Sequence, residues 1–380
     1  MTMPGVRPFA VNVPDSALAD LRDRLHRTRL PERETVTGPD WSQGPPLSYV
    51  AELVRYWGES YDWRRVEAEL NAHAQFQTEV DGLDVHFLHV RSGRPDARPL
   101  ILTHGWPSSV LEPLAVIDEL ANPAEPQAPA FHVVAPSLPG FGFSGKPDAP
   151  GWTVHRVADA WVLLMRRLGY ERFFAAGGDW GGRISEVLAA RHPDQVAGLY
   201  SFTPYVAEPP AGEGELSAKE ARWLAETRRF WQVGAGYSLE QSTRPQTVAY
   251  GLTDSPVAQL TWLLDKFQAW TDCDGFPENA ISRDRILDTV TLYWLSAGGG
   301  SSARIYWENF PPERTVPVEV PSAVTVFPAD IEKLPRAWVE ARYRKLRYWN
   351  EVDRGGHFPM LEVPATFVRE VRQGLGPMAF

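Results

Sequence analysis

The five-residue segment Gly177–Gly181, with Asp179 at its centre, constrains this chain more than any other. An apolar run at 172–176 precedes it, and a helical pattern at 183–191 follows it. Together they predict a strand, a tight turn flanked by glycines, and a helix. A turn of the form Gly-x-nucleophile-x-Gly lifts its central side chain above the end of a sheet. Serine is usual at the centre, so the aspartate changes which chemistry the site can perform.

Size and charge limit the class of protein. A chain of 380 residues can form one large domain with additions, or two domains. Its net charge of −10 argues against a surface for nucleic acid or anionic membranes. The single cysteine, Cys273, excludes an internal disulfide and favours a cytoplasmic location. Residues 1–13 contain no long apolar stretch, so we expect neither a signal peptide nor a membrane anchor.

Short apolar runs alternate with helical patterns through most of the chain. This alternation is typical of an α/β fold whose mostly parallel sheet is covered by helices on both faces. The dipeptide Asp81-Gly82 predicts a hairpin that adds an antiparallel edge. The eight predicted strands are residues 76–80, 83–90, 100–103, 131–135, 172–176, 197–202, 323–327 and 347–352.

The alternation defines three regions. Residues 1–95 form an N-terminal segment with the first hairpin, including a helix capped by Asp15 or Ser16 and a second helix at 48–57. Residues 96–205 and 311–380 form the core. Residues 206–310 form a helical lid that begins with a linker at 208–215. Six tryptophans in the lid region are compatible with core packing or with an aromatic pocket wall. The glycine-rich cluster Gly298–Ser302 is compatible with a close-packed or flexible bend.

A nucleophile, a base and an acid occur in the order expected of such a fold. His357 follows the last predicted strand, where the general base belongs. Asp330 ends the preceding strand and is the predicted acid, with Glu332 as the alternative. The chain therefore contains a candidate triad of Asp179, His357 and Asp330.

The loop after the first parallel strand has the sequence His104-Gly105-Trp106-Pro107. In this arrangement it supplies one N–H group of an oxyanion hole, here from Trp106, and Trp180 supplies the other. We expect His104, Gly105, Trp106 and Pro107 to line the substrate pocket, and the bond before Pro107 to be cis.

An aspartate nucleophile selects the substrate. A serine that opened an epoxide or displaced a halide would form an ether, which activated water could not cleave. A carboxylate forms an ester, which water can attack at the carbonyl carbon. The substrate is therefore an alkylating electrophile, an epoxide or an alkyl halide.

The leaving group separates these two substrates. A halide needs only weak N–H donors, whereas an epoxide oxygen leaves as an alkoxide and needs a proton. Tyrosine, with a pKa of about 10, is protonated at neutral pH and acidic enough to help. The candidates in the lid are Tyr237 and Tyr306, with Tyr293 and Tyr250 less favoured.

At these residues the chain resembles a bacterial, soluble member of the microsomal-type epoxide hydrolases of the α/β-hydrolase superfamily. The resemblance extends over nearly the whole length and includes the three motifs around Trp106, Asp179 and His357. It implies that Tyr237 and Tyr306 are the catalytic tyrosines. It also implies Asp330 as the acid, although many members have glutamate there. Mammalian relatives carry an N-terminal membrane anchor, which we do not expect in this chain.

The expected function is hydrolysis of an epoxide to a vicinal diol through an aspartyl ester, without cofactor or metal, in detoxification or natural-product biosynthesis. The alternatives are a haloalkane or haloacid dehalogenase, which Trp180 would suit, and a non-catalytic binder of hydrophobic ligands. An aromatic lid favours a bulky aryl epoxide. A homodimer is one of the assemblies compatible with the sequence. We expect neither a nucleic-acid partner nor a membrane anchor.

Overall fold

A nine-stranded sheet forms the centre of the computed structural model, which describes residues 5–38, 40–207, 210, 215–312 and 315–380. Its spatial order is β1-β2-β3-β5-β4-β6-β7-β8-β9. Neighbours from β1 to β5 pair antiparallel, and those from β5 through β4 to β9 pair parallel. The strands are β1 (Val6–Phe9), β2 (Gln75–Val80), β3 (Leu83–Val90), β4 (Arg98–Thr103), β5 (Phe131–Pro136), β6 (Phe173–Gly177), β7 (Val196–Ser201), β8 (Val318–Val326) and β9 (Tyr343–Glu351).

The α/β architecture with a mostly parallel sheet is confirmed, but the expected number of eight strands is wrong. The additional strand is β1, which pairs with β2 at the edge of the sheet. It has four residues, all at least partly exposed, and contains Pro8. Proline is tolerated at a sheet edge because its missing N–H costs no ladder hydrogen bond there. So short a strand has no apolar alternation by which the sequence could reveal it.

The helices fall into four groups along the chain. Among the described residues, three α-helices precede β2, four lie among the core strands, six lie between β7 and β8, and three complete the C-terminal part. They are α1 (Asp15–His26), α2 (Leu47–Glu59), α3 (Trp63–Asn71), α4 (Leu111–Leu114), α5 (Ile117–Ala121), α6 (Val154–Arg167), α7 (Asp179–Arg191), α8 (Ala218–Val233), α9 (Gly236–Thr243), α10 (Pro245–Asp254), α11 (Pro256–Ala269), α12 (Arg283–Leu295), α13 (Gly298–Glu308), α14 (Arg336–Arg342), α15 (Pro359–Glu362) and α16 (Pro364–Leu375).

The first helix begins differently from the prediction. Its N-cap is Pro14, not Asp15 or Ser16, and no side chain caps it. The Pro14 carbonyl accepts the N–H groups of Ala17 and Leu18, which satisfies the first turn without a polar cap. The second helix extends one residue earlier and two residues later than the predicted 48–57.

Six helices, α8–α13, lie where the lid was predicted, at the carboxyl ends of the parallel strands. The boundaries assigned to the three regions stay predictions. Apart from residues 210 and 215, the predicted linker at 208–215 lies outside the described residues. The cluster Gly298–Ser302 begins α13 rather than forming a bend. It packs closely, because a Cβ atom on Gly300 would lie 2.5 Å from that of Ala249.

The N-terminal helical region stabilises the lid through polar contacts with α12. Trp57 of α2 donates its indole N–H to Thr291 of α12 at 2.9 Å. Tyr61 donates to Asp288 at 2.8 Å, and Arg65 pairs with the same carboxylate. Within the described residues, no helix combines the length and hydropathy needed to cross a membrane.

Candidate active site

The candidate nucleophile Asp179 sits between a strand and a helix. Strand β6 ends at Gly177, α7 begins at Asp179, and Asp179 has a positive φ of 51°. This left-handed conformation is uncommon outside glycine, so the surrounding structure must hold it. The turn fits against β4 only because residue 181 is glycine, since a Cβ atom there would overlap the carbonyl oxygen of Thr103.

The two carboxylate oxygens of Asp179 face different partners. Oδ1 accepts the backbone N–H of Trp106 at 2.7 Å, and Oδ2 lies 3.6 Å from Nε2 of His357. Gly105 permits this approach, because a Cβ atom there would overlap Oδ1. The Trp106-Pro107 bond is cis, as predicted. The other predicted donor, the backbone N–H of Trp180, lies in the first turn of α7, and its role stays a prediction.

His357 is held on its other side by Asp330. The Nδ1–H group donates to Asp330 Oδ1 at 2.8 Å, which leaves Nε2 toward Asp179. Asp330 is in turn fixed by the backbone N–H of Ile331 at 2.7 Å and by the Thr203 hydroxyl at 3.2 Å. The structure therefore brings the three predicted triad residues together.

The charge of His357 reflects its two carboxylate neighbours. Burial acts to lower the pKa of His357, but Asp330 and then Asp179 outweigh it and hold that pKa well above the usual value. With Asp179 as a free carboxylate, the imidazole is therefore protonated near neutral pH. Any change that removed the charge of Asp179 would lower the pKa of His357.

Glu332, the alternative acid, does not contact His357. It lines the cavity above Asp179 and accepts the indole N–H of Trp231 at 2.8 Å. Burial raises the pKa of Glu332, and the nearby Arg183 opposes this effect. Of the two candidates, Asp330 alone has the position of a triad acid.

Two of the four candidate tyrosines face the nucleophile. Tyr237 of α9 and Tyr306 of α13 are each 6% exposed, and their rings lie 5.8 Å apart. The Tyr306 hydroxyl has no hydrogen-bond partner among the described residues. Burial raises the pKa of both phenols well above the usual value, so both are protonated at neutral pH. The ring of Trp106 stacks on Tyr237 at 5.0 Å and fixes its orientation.

The other two tyrosines are placed elsewhere. Tyr293 is buried and donates to the carbonyl oxygen of Ser108 at 2.9 Å. Tyr250 is 70% exposed on the outer surface of α10. Neither lines the cavity that contains Asp179.

A cavity of about 680 Å³ opens above Asp179, within the size range of small-molecule sites. Of the six tryptophans noted in the lid region, Trp231 lines this cavity. Trp223, another of these tryptophans, does not line the cavity and is buried, with 9% of its surface exposed. Its lining includes Asp179, Arg183, Phe230, Trp231, Tyr237 and Tyr306.

Two of the four loop residues predicted for the substrate pocket do not reach a cavity. His104 is fully buried, donates from Nδ1 to the Gly105 carbonyl at 2.9 Å and accepts the Leu138 N–H at Nε2. Burial lowers the pKa of His104 to about 4, so it is a neutral structural group. Pro107 likewise lines none of the described cavities. Gly105 and Trp106 instead line a separate small cavity behind Asp179.

Several residues at the site carry no signal in the sequence. The Trp270 ring lies 4.9 Å from that of His357, and its carbonyl oxygen accepts the His357 backbone N–H at 2.8 Å. Thr203 supports Asp330 from the loop after β7. Glu112 is buried in α4 beside the small cavity. None of them belongs to a recognisable motif, because each reaches the site through tertiary packing.

Family models match two parts of the chain. Residues 6–113 match the model described as "Epoxide hydrolase N terminus", and residues 98–271 match that of the alpha/beta hydrolase fold. A protein of Stigmatella aurantiaca named "Putative epoxide hydrolase" is 50% identical over 97% of this chain and 84% of its own length. Epoxide hydrolase 1 of Sus scrofa is 31% identical over 98% of this chain and 88% of its own length.

Solved structures show the same relationship. Aspergillus niger epoxide hydrolase has a TM-score of 0.91 and 30% identity, covering 99% of this chain and 97% of that one. Juvenile hormone epoxide hydrolase from Bombyx mori also has a TM-score of 0.91, with 28% identity over 98% of this chain and 94% of that one. The likeness thus extends through the N-terminal segment, the core and the lid. The chain therefore belongs to the microsomal-type epoxide hydrolase family.

Proposed function

We propose that this enzyme hydrolyses an epoxide to a vicinal diol through a covalent ester on Asp179, with His357 as base and Asp330 as its partner. The orientation of Asp179 carries the proposal. Oδ2 is the oxygen free to attack, while Oδ1 already accepts the Trp106 N–H. After alkylation of Oδ2, Oδ1 becomes the ester carbonyl oxygen and already accepts one N–H of the predicted oxyanion hole, that of Trp106.

In the first step, Oδ2 attacks one epoxide carbon as the bond from that carbon to the ring oxygen breaks. The released oxygen takes a proton from Tyr237 or Tyr306, and the other phenol stabilises it by a hydrogen bond. Two phenols in one cavity with the carboxylate favour an epoxide over a halide, because a leaving halide needs no proton.

In the second step, water attacks Cγ of Asp179 and His357 accepts its proton at Nε2. The Cγ–Oδ2 bond then breaks, His357 returns the proton to the departing oxygen, and the carboxylate is restored. Alkylation prepares this step, because it removes the Asp179 charge that helps hold the pKa of His357 high. After alkylation His357 loses its own proton. This proton restores the tyrosine that protonated the epoxide oxygen.

The cavity favours a bulky, hydrophobic substrate such as an aryl epoxide. Phe230, Trp231 and the two tyrosines provide aromatic surface around about 680 Å³ of space. We propose a cytoplasmic role in detoxification or in natural-product biosynthesis, and the lone Cys273 is compatible with that compartment.

A single turnover of styrene oxide in ¹⁸O-labelled water tests the ester mechanism. With enzyme in excess, the first diol should carry its new oxygen from Asp179 and contain no label. Label in that first diol would rule out the ester route. Matched variants locate the step: His357→Gln should accumulate an alkyl-enzyme visible by intact-protein mass spectrometry, whereas Asp179→Asn should form none.

A further inference from the structure

A second, much smaller cavity borders Asp179, and its lining has only Asp179 and His357 in common with that of the large cavity. Its volume is about 10 Å³, close to the space that one water molecule requires. Asp179 and His357 both line it, together with Trp106, Ser108, Glu112 and Phe202. It is therefore a water-sized space in contact with both the carboxylate and the base.

Glu112 brings an unsatisfied oxygen atom to this space. The residue is 4% exposed, and its Oε2 accepts the Ser108 hydroxyl at 2.5 Å. Its Oε1 is buried without a hydrogen-bond partner among the described residues. A buried carboxylate oxygen without a donor is costly, so such atoms normally bind a water or serve a function.

We propose that the small cavity holds the water that hydrolyses the ester, and that Glu112 orients this water toward Cγ of Asp179 by accepting one of its hydrogens at Oε1. This inference rests on the ester mechanism proposed above. It assigns the two hydrogens of the water to two acceptors, one to His357 Nε2 and the other to Glu112. The Ser108 hydroxyl is a positioning group that fixes the carboxylate through Oε2.

The bond changes of the hydrolytic step stay balanced. The water oxygen forms a bond to Cγ, one proton moves to His357, and the second stays on oxygen in a hydrogen bond to Glu112. When the Cγ–Oδ2 bond breaks, His357 protonates the departing oxygen. The remaining proton of the former water moves to His357 as the carboxylate forms again, which restores the protonated imidazole of the resting enzyme. Glu112 is unchanged at the end of the cycle.

The position of the cavity explains why the two half-reactions need not compete for space. The epoxide occupies the large cavity, together with the tyrosines. The water occupies the small cavity, whose lining includes Glu112 and His357. A bulky substrate can therefore stay in place while its ester is hydrolysed.

Single-turnover kinetics of Glu112→Gln with styrene oxide test the inference, because quenching at intervals follows the mass of the alkyl-enzyme. We expect the rate of ester formation to stay within about threefold of wild type. Ester decay should slow by about tenfold to a hundredfold, as for the loss of one hydrogen bond to a reacting group. The alkyl-enzyme should therefore accumulate at steady state.

Glu370→Gln is the matched control, because Glu370 is an equally buried carboxylate that bonds to Thr325, Tyr348 and Asn350, away from both cavities. It should leave ester decay unchanged even if it lowers stability. Decay at the wild-type rate in Glu112→Gln, or an equal loss in both half-reactions, would overturn the inference.

Ser108→Ala provides a second route if Glu112→Gln does not fold. It keeps the carboxylate and removes its anchor, so ester decay should slow by a smaller factor, about threefold to tenfold. Normal decay in that variant would contradict the assignment. Failure of the underlying mechanism has a different signature, since no alkyl-enzyme would form even in wild type or His357→Gln.

Discussion

Helices α12 and α8 belong to the same lid but are held in opposite ways. Eight of the 13 residues of α12 are buried, whereas one of the 16 residues of α8, Trp223, is buried. Helix α12 lies between the core and the N-terminal helices and lines no described cavity. Helix α8 forms part of the wall of the large cavity.

The polar contacts of the two helices differ as well. Behind α12, the partly buried pairs Arg65–Asp288 and Arg285–Glu69 join it to α3. On α8, Lys219 pairs with Glu351 at the surface, and Val233 is 75% exposed. Few buried contacts and an exposed face are the features of segments that open at low free-energy cost. The lid thus has a fixed rear, formed by α12, and an adaptable front, formed by α8. Of the two catalytic candidates, Tyr306 comes from α13, which follows α12, and Tyr237 comes from α9, which follows α8.

The largest expected effect concerns those tyrosines. Tyr306→Phe and Tyr237→Phe should each slow ester formation by about tenfold to a hundredfold, and the double variant by about 10²- to 10⁴-fold. Near-equal single effects are expected, because the Trp106 ring holds Tyr237 in place. Rapid-quench kinetics give the rates. A much smaller loss for Tyr237→Phe would show that α9 shares the mobility of α8.

A matched pair of tryptophans compares stability at the rear and front. Trp57 is 2% exposed and donates to Thr291 of α12, while Trp231 of α8 is 46% exposed and donates to Glu332. Trp57→Ala should lower the free energy of unfolding by about 3–5 kcal/mol. Trp231→Ala should cost less than about 1 kcal/mol.

Urea denaturation measures both tryptophan variants. The same enzymes assayed on a bulky and a small aryl epoxide should show that Trp231→Ala raises KM mainly for the bulky one, because Trp231 lines the cavity. Equal destabilisation by the two substitutions would remove the distinction between front and rear.

The smallest expected effects concern the helix caps. Ser217 caps α8 within a capping box with Glu220, and Ser282 caps α12 through the N–H of Arg285. Each Ser→Ala substitution should cost about 1 kcal/mol. For Ser282 the loss should appear in global stability. For Ser217 it should appear as faster hydrogen exchange in the first turns of α8, with the melting temperature nearly unchanged.

Local signals made the core and the triad predictable. The glycine-flanked elbow, the apolar strands and the order of Asp179, Asp330 and His357 are all encoded within short stretches of sequence. The choice of Tyr237 and Tyr306 came from the family resemblance, since chemistry left four tyrosines open. Their shared cavity agrees with that choice.

Features that depend on tertiary contact were not predictable. Strand β1 exists because β2 offers an open edge, and its four residues carry no periodic pattern. The glycines of residues 298–300 suggested a bend, but they begin a helix that packs closely on α10. No pattern in the sequence singles out Glu112, and only packing around α4 reveals its buried, unpaired oxygen.

Because the Asp179 carboxylate has a fixed orientation, each diol should carry the oxygen atom that Asp179 took from water in the preceding cycle. If Oδ1 stays on the Trp106 N–H throughout the cycle, only the Oδ2 position exchanges with water. In ¹⁸O water, the second diol from each molecule would then be fully labelled, one cycle late. A carboxylate that rotated between cycles would exchange its two oxygens, and only about half of the second diol would carry the label. The ratio of labelled to unlabelled second product thus reports how long one hydrogen bond of 2.7 Å holds an oxygen in place.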